Sequence, residues 1–424
     1  MANPRQLRSL IFGPGLCAAT ALAIAFMLMV VVTQSAQAQT FKVLHNFSGG
    51  SDGAAPAAGV TLDKAGNLYG TAYGGGYTGG NCFPGGCGTV YKLTPKGSGW
   101  TVNPLYIFTG SGDGDNPEGE VIFGPNGTLY GTASGFHYPN NIIGTVFNLR
   151  PALRACQSAL CPWTETTLFK FDNSVEGLYP LGSVIFDQAG NIYGTTDIGG
   201  VYDLGTVYKL TPSGGGWTEK VLYNFSGPDG TAPKNGVIFD NAGNLYGTTS
   251  AGGYGYGTVF ELSPSGSVWK ESCLYTFDPS DGYAPYAGLI SDQSGNFYGA
   301  TLEGGTGGGG TVFELTLGAN CGWKLKTLHS FGNYQCGPRD NLGMDAAGNL
   351  YGTTRCEGAY NFGNVFKLTP SDNGWTYTSL HDFTGGSDGA NPYSNVVFDT
   401  SGNLYGTAYA GGSQGLGVVW EITP

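Results

Sequence analysis

The feature that most constrains this chain is a short run, Tyr-Gly-(Thr/Ala)-(Thr/Ala), that recurs seven times. The copies begin at Tyr69, Tyr130, Tyr193, Tyr246, Tyr298, Tyr351 and Tyr405, with later spacings of 52 to 54 residues. A period near fifty residues that cannot bury its own apolar face alone specifies a propeller or a solenoid. Each unit reads as four short strands. In the fourth unit these are Gly236–Asp240, Leu245–Thr249, Gly257–Leu262 and Trp269–Phe277. An Asp-x-x-Gly-Asn turn joins the first two and a Gly-rich loop joins the next two. A Ser/Thr-Pro turn leads into the alternating, half-exposed fourth strand. Nothing in the pattern has a helical period.

The chain ends choose between the two architectures. Six fourth strands begin with Trp (Trp100, Trp163, Trp217, Trp269, Trp323, Trp375), whereas the seventh unit stops at Pro424, after its third strand. The missing strand stands at the other terminus, where Gln39–Phe47 (QTFKVLHNF) aligns without gaps on Trp217–Phe225 (WTEKVLYNF). A solenoid needs two dissimilar polar caps; two complementary fragments of one unit instead close a ring and remove both free sheet edges. The fold expected is all-β, a seven-bladed β-propeller of four-stranded antiparallel blades, closed by strand 39–47.

Residues 1–38 read as a signal peptide: Arg5 and Arg8, an apolar run from Leu16 to Val32, and a small-x-small site at Ala36-Gln37-Ala38. Residues 39–424 form the single propeller domain. Removing 1–38 takes away two of 18 basic residues and no acid, leaving 16 against 30, a net charge of −14. That charge disfavours nucleic acid and anionic membrane surfaces as partners, and no membrane insertion is expected after signal removal. Eight cysteines remain, an even number suited to an oxidising compartment. Cys82/Cys87 and Cys156/Cys161 read as local disulfides, Cys336/Cys356 as a bridge within one repeat, and Cys273/Cys321 as a fourth pair.

The run from Tyr246 to Leu262, YGTT…GG…GTVF-x-L, resembles that of the bacterial secreted GloVer-type tandem-repeat proteins over essentially all of residues 39–424. The resemblance implies export and an extracellular or surface location, and it brings no established activity. Members often carry a C-terminal anchoring segment; no such segment is read before Pro424.

Chemistry is sought where copies differ, because every blade shares packing needs and few touch a ligand. The fourth-to-first and second-to-third loops should surround one mouth of the central channel. The repeated Asp-Gly-x-x-Pro of the former (Asp52, Asp113, Asp229, Asp281, Asp388) reads as turn chemistry and not as a ring of calcium sites. No metal or cofactor is expected. Matches to G-x-S-x-G at Gly49 and Gly385 lack the helix of a nucleophile elbow. His45, His329 and His381 share one fourth-strand position and read as fillers of an aromatic slot.

Two positions vary freely. After the proline they are Ala57, Glu118, Leu181, Lys234, Tyr286, Arg339 and Tyr393; beyond Tyr-Gly-Thr they are Tyr73, Ser134, Asp197, Ser250, Leu302, Arg355 and Tyr409. The ligand-binding candidates are Tyr73, Glu118, Lys234, Tyr286, Arg339, Arg355, Glu357, Tyr393 and Tyr409, with blades 6, 7 and 1 richest. Aromatic faces beside charged groups suit a sugar. The expected function is non-enzymatic binding of a glycan or another exported protein. An extracellular polysaccharide lyase or hydrolase drawing on Glu118, Asp197, Arg339, Arg355, Glu357 or His137 is the alternative, and a purely structural surface protein a third reading.

Overall fold

In the computed structural model the second strand of every blade is buried along its whole length, for example Leu245–Thr249 and Leu350–Thr354. A glycine sits at the centre of each, and its cross-strand partner is always the aromatic residue of the third strand: Gly70 with Tyr91, Gly131 with Phe147, Gly194 with Tyr208, Gly247 with Phe260, Gly299 with Phe313, Gly352 with Phe366 and Gly406 with Trp420. The ring lies flat across the glycine. A Cβ built on Gly247 would stand 2.7 Å from Phe260 Cζ, and one on Gly406 2.3 Å from the Trp420 ring. Glycine costs a strand side-chain packing and backbone entropy, and here the aromatic partner fills the space it leaves.

The tyrosine before that glycine is tied to the turn before it. Asp240 Oδ1 accepts from the backbone of Ala242 and Asn244, while Oδ2 accepts from Asn244 Nδ2 and the Tyr246 hydroxyl. The same set recurs at Asp63, Asp187, Asp292, Asp345 and Asp399. In blade 2, Gly124 stands at the aspartate position, and Asn126, two residues on, donates to Tyr130. Burial pushes these carboxyls up, but the bonds from asparagine and tyrosine outweigh it and hold them below the ordinary 3.8.

Seven four-stranded antiparallel sheets result, among the described residues 39–80, 82, 84–135, 143–151, 163–172, 174–318 and 322–424. No helix occurs among them. In blade 4 the strands are Ile238–Phe239, Leu245–Thr249, Thr258–Ser265 and Val268–Thr276. The innermost strand is shorter than its sequence pattern, because the residues before it turn toward the channel and leave the ladder. Strand Thr40–Asn46 pairs with Val418–Thr423 in one sheet and completes the last blade. The fold is the closed seven-bladed β-propeller expected.

There is no single core. Each apolar cluster lies in a seam between two blades; the closing seam joins Phe47, Tyr405 and Val419 to Val60, Leu68 and Tyr91. The first threonine of the motif staples six of the seven seams. Thr71, Thr132, Thr195, Thr248, Thr353 and Thr407 donate to the carbonyls of Gly119, Gly182, Asn235, Ala287, Ser394 and Ala58 of the following blade. The glycine before the third strand serves the same seam: Gly257 has φ +100°, and its position lies against Pro285 of the next blade.

Two disulfides match expectation, Cys82–Cys87 and Cys336–Cys356. The Cys273–Cys321 bridge is corrected: Cys273 is a free thiol on an outer strand, its Sγ against Thr276 Oγ1 at 3.4 Å. Cys321, together with Cys156, Cys161 and His137, lies outside the described residues.

The glycine–aromatic contact predicts that Gly247→Ala lowers unfolding free energy by about 1–3 kcal/mol, the usual cost of overpacking. Gly332→Ala, where a Cβ meets nothing within 4 Å, should change it by less than about 0.5 kcal/mol. Urea titration with both variants checks this, and equal losses would refute it.

Candidate functional site

The stapled carbonyls fix the residues on either side of them, and these converge on the channel mouth. A cavity of about 430 Å³ is lined by all seven blades. Every member of the first variable position faces it: Ala57, Glu118, Leu181, Lys234, Tyr286, Arg339 and Tyr393. Of the second position, Tyr73, Asp197 and Tyr409 join them. Ser134 and Ser250 do not, because they are buried and donate to the carbonyls of Asn116 and Ala232.

Seven of the nine candidates therefore share one concave site: Tyr73, Glu118, Lys234, Tyr286, Arg339, Tyr393 and Tyr409. Arg355 and Glu357 are not among its lining residues. The Arg355 backbone NH is held on the Cys336 carbonyl at 3.0 Å, beside the Cys336–Cys356 bridge, and Glu357 Oε1 accepts from the backbone of Asn333 at 2.6 Å. The site thus extends beyond blades 6, 7 and 1 to include blades 2 to 5.

The wall has two halves. One is aromatic: the Arg339 guanidinium carbon lies 5.5 Å from the Tyr286 ring centre and 4.7 Å from that of Tyr393, and Tyr393 meets Tyr409 with ring centres 5.0 Å apart. Tyr73 continues this half; burial, then the charge of Glu118, pushes its hydroxyl up to about 12. The other half is charged. Lys234 Nζ pairs with Asp197 Oδ2 at 2.6 Å, and burial pushes the Glu118 carboxyl up against the pull of Arg339 and Lys234.

Below the mouth a polar throat joins all seven blades. Asn395 donates from Nδ2 to Glu120 Oε2 and from its backbone to Asp340 Oδ2, each at 3.1 Å. Asp340 Oδ1 also accepts from Asn235 Nδ2 and Asn341 N, Asn341 Oδ1 accepts from Gly288 N, and Glu120 N donates to Ser183 Oγ. Thr61 supplies the blade 1 contact: its hydroxyl lies against both the Val121 carbonyl and Glu120 Oε1. A carbonyl can only accept, and the hydroxyl has one proton. Thr61 is the donor to both acceptors, so it gives Glu120 Oε1 at most a shared proton. Burial, with Asp340 nearby, pushes Glu120 up to about 8.

Asp340 marks the exceptional seam. Blade 5 carries Ala300 where six blades carry the stapling threonine, and Asp340 stands one residue after Arg339 in the following blade. Its side-chain bonds to Asn235, Asn341 and Asn395 join blade 6 to blades 4 and 7, and none of the three reaches blade 5. The sequence signal for this was the single departure from Tyr-Gly-Thr, together with polar residues just after the variable position.

The loop aspartates have their oxygens occupied by local donors, as the turn reading requires. Asp113 accepts from Thr109 N and Oγ1, Ser111 N and the Tyr106 hydroxyl. The histidines do more than fill a slot: His45 and His381 bond Asp52 and Asp388 at 3.0 and 3.1 Å. His381 also stacks on Phe41 of the closing strand, with ring centres 3.6 Å apart.

With this geometry in place, comparisons fix the class. The chain matches the Gloeobacter/Verrucomicrobia repeat family over residues 29–254, 158–339 and 239–424. It belongs to that family, as the repeat motif implied. No curated protein matches. Among solved structures, the chain is similar to an extracellular domain named as that of a one-component system, BT4673, from B. thetaiotaomicron, at 12% identity and a TM-score of 0.51. That likeness covers 89% of this chain and 39% of the other, so the chain spans well under half of its length, and the fold alone is shared. A protein named as a 6-phosphogluconolactonase from Bacteroides uniformis aligns at 13% identity and a TM-score of 0.49, over 77% of this chain and 84% of its own.

A neutral Glu120 sets a pH dependence. Its folded pKa is raised from 4.5 to about 8, so its contribution is fully present below the unfolded value and is lost as pH rises toward 8. Glu120→Gln removes the ionisable group and keeps an acceptor for Asn395 or Thr61. It should leave stability near pH 4.5 unchanged and raise it by about 1–2 kcal/mol at pH 9, a figure reduced for the water in the cavity. Urea unfolding at the two pH values checks this; a pH-independent difference would contradict a protonated Glu120.

Proposed function

We propose that this is an exported, non-enzymatic glycan-binding propeller, with residues 1–38 removed as a signal peptide and the ligand seated in the seven-blade cavity. The observation that carries the reading is the pairing of an aromatic wall with a charged one inside a single concave site. Sugar rings present apolar C–H faces that stack on tyrosine and hydroxyls that need donors and acceptors. Tyr286, Tyr393, Tyr409 and Tyr73 supply the first, and Lys234, Asp197, Glu118 and Arg339 the second. A volume of about 430 Å³ falls within the range of small-molecule sites.

The surroundings support a longer ligand. Tyr77 and Tyr202 are exposed on the second-to-third loops that put Tyr73 and Asp197 into the cavity, and Tyr254, Tyr360 and Phe362 on the corresponding loops of blades 4 and 6. Such rings lengthen the stacking surface outward along the mouth face, as a chain of several sugars would require. Tyr73, with its hydroxyl near 12, keeps its proton and acts as a donor at neutral pH, which suits binding better than proton abstraction. Two disulfides fit an oxidising, non-cytoplasmic compartment.

On an array of bacterial and plant oligosaccharides, residues 39–424 should retain a defined subset. Tyr393→Ala/Tyr409→Ala should weaken retention at least tenfold, about 1.4 kcal/mol, with an unchanged melting curve. Retention of nothing, or an indistinguishable profile for the variant, would overturn the reading.

A further inference from the structure

The cavity holds two cations, and they differ. Lys234 is neutralised by Asp197 at 2.6 Å. Arg339 is half-buried between the faces of Tyr286 and Tyr393. Among the described residues its guanidinium has no hydrogen bond, and no carboxylate lies within ion-pair distance. In a chain of net charge −12, a cation left without a counter-charge inside a cavity is unusual, because desolvating an unpaired charge is costly.

Contact with the two ring faces leaves the guanidinium edge, with its N–H donors, for another acceptor. A planar two-oxygen anion fits that edge, and the stacking restricts the fork before the ligand arrives. Two acids feel its charge, Glu118 and Asp340; neither forms an ion pair with it, and burial favours the neutral form of both.

We infer that the cavity selects saccharides carrying a carboxylate, uronic acid chains above all, by seating that carboxylate on the edge of Arg339 while Tyr286, Tyr393 and Tyr409 line the sugar's apolar face. The inference rests on the glycan-binding reading and adds the ligand's charge to it. A neutral sugar would find the same aromatic wall but would leave the guanidinium without its ion pair.

The test is calorimetric titration of residues 39–424 with polygalacturonate, alginate and glucuronan oligosaccharides, each beside its carboxyl-reduced counterpart, which keeps the linkage and loses the charge. At least one uronate should bind about ten- to a hundredfold more tightly than its reduced form, the range of a charge-assisted bidentate contact. Arg339→Met should abolish the preference, binding the uronate and its reduced form with affinities within about twofold of each other. Arg339→Lys, which keeps the charge without the fork, should fall between. Melting curves for both variants separate loss of the contact from loss of the fold. Equal affinity for acid and reduced forms, or parallel loss of both in Arg339→Met, would overturn the inference while the glycan site stands. A sulfated chain preferred over every uronate would overturn the carboxylate assignment. Binding of no saccharide would overturn both readings.

Discussion

The contact on which the structure depends is an aromatic ring laid across a glycine in the neighbouring strand. It is made once per blade and explains why Tyr-Gly and Gly-Thr-Val-Phe travel together in every copy. A side chain at the glycine would strike the ring, and a smaller residue in place of the ring would leave a void; either change is costly in a packed interior. With this pair in place, the second strand is covered on both faces and its tyrosine points back to the Asp-x-x-Gly-Asn turn. The local sequence rules and the blade's packing thus agree with one another.

Blades become a ring through a second, simpler device. In six of the seven blades a threonine hydroxyl bonds a carbonyl of the next, and that carbonyl belongs to the segment lining the channel. The staple therefore holds those seams and also sets the position of the cavity wall. In the blade that follows the alanine, Asp340 joins two other blades through its own carboxylate. The exception in the repeat and the deepest part of the site coincide, beside the arginine that has no ion-pair partner.

Much of this was legible in the sequence. Complementary end fragments announced closure, because Gln39–Phe47 and Trp217–Phe225 cannot be so alike unless they fill the same slot. The variable position after the proline lines the cavity in all seven copies, since a ring maps equivalent positions onto equivalent places around its axis. The second variable position was read less well. A serine there can turn inward to a carbonyl, as Ser134 and Ser250 do, and at Arg355 the adjacent disulfide governs the loop. Glu120 meeting Asn395 was not legible, because those residues are 275 positions apart and converge only when the ring is closed. The fourth disulfide failed for a related reason: pairing leftover cysteines by number ignores where Cys273 sits, a free thiol on an outer strand.

The account assigns the fold to what the blades share and ligand recognition to what they do not. Hydrogen–deuterium exchange with and without a bound acidic oligosaccharide tests that division most directly. Protection should appear in the loop segments around Tyr73, Glu118, Lys234, Arg339, Tyr393 and Tyr409, with the second and third strands unchanged. Protection confined to the outer fourth strands, with none at those loops, would contradict it.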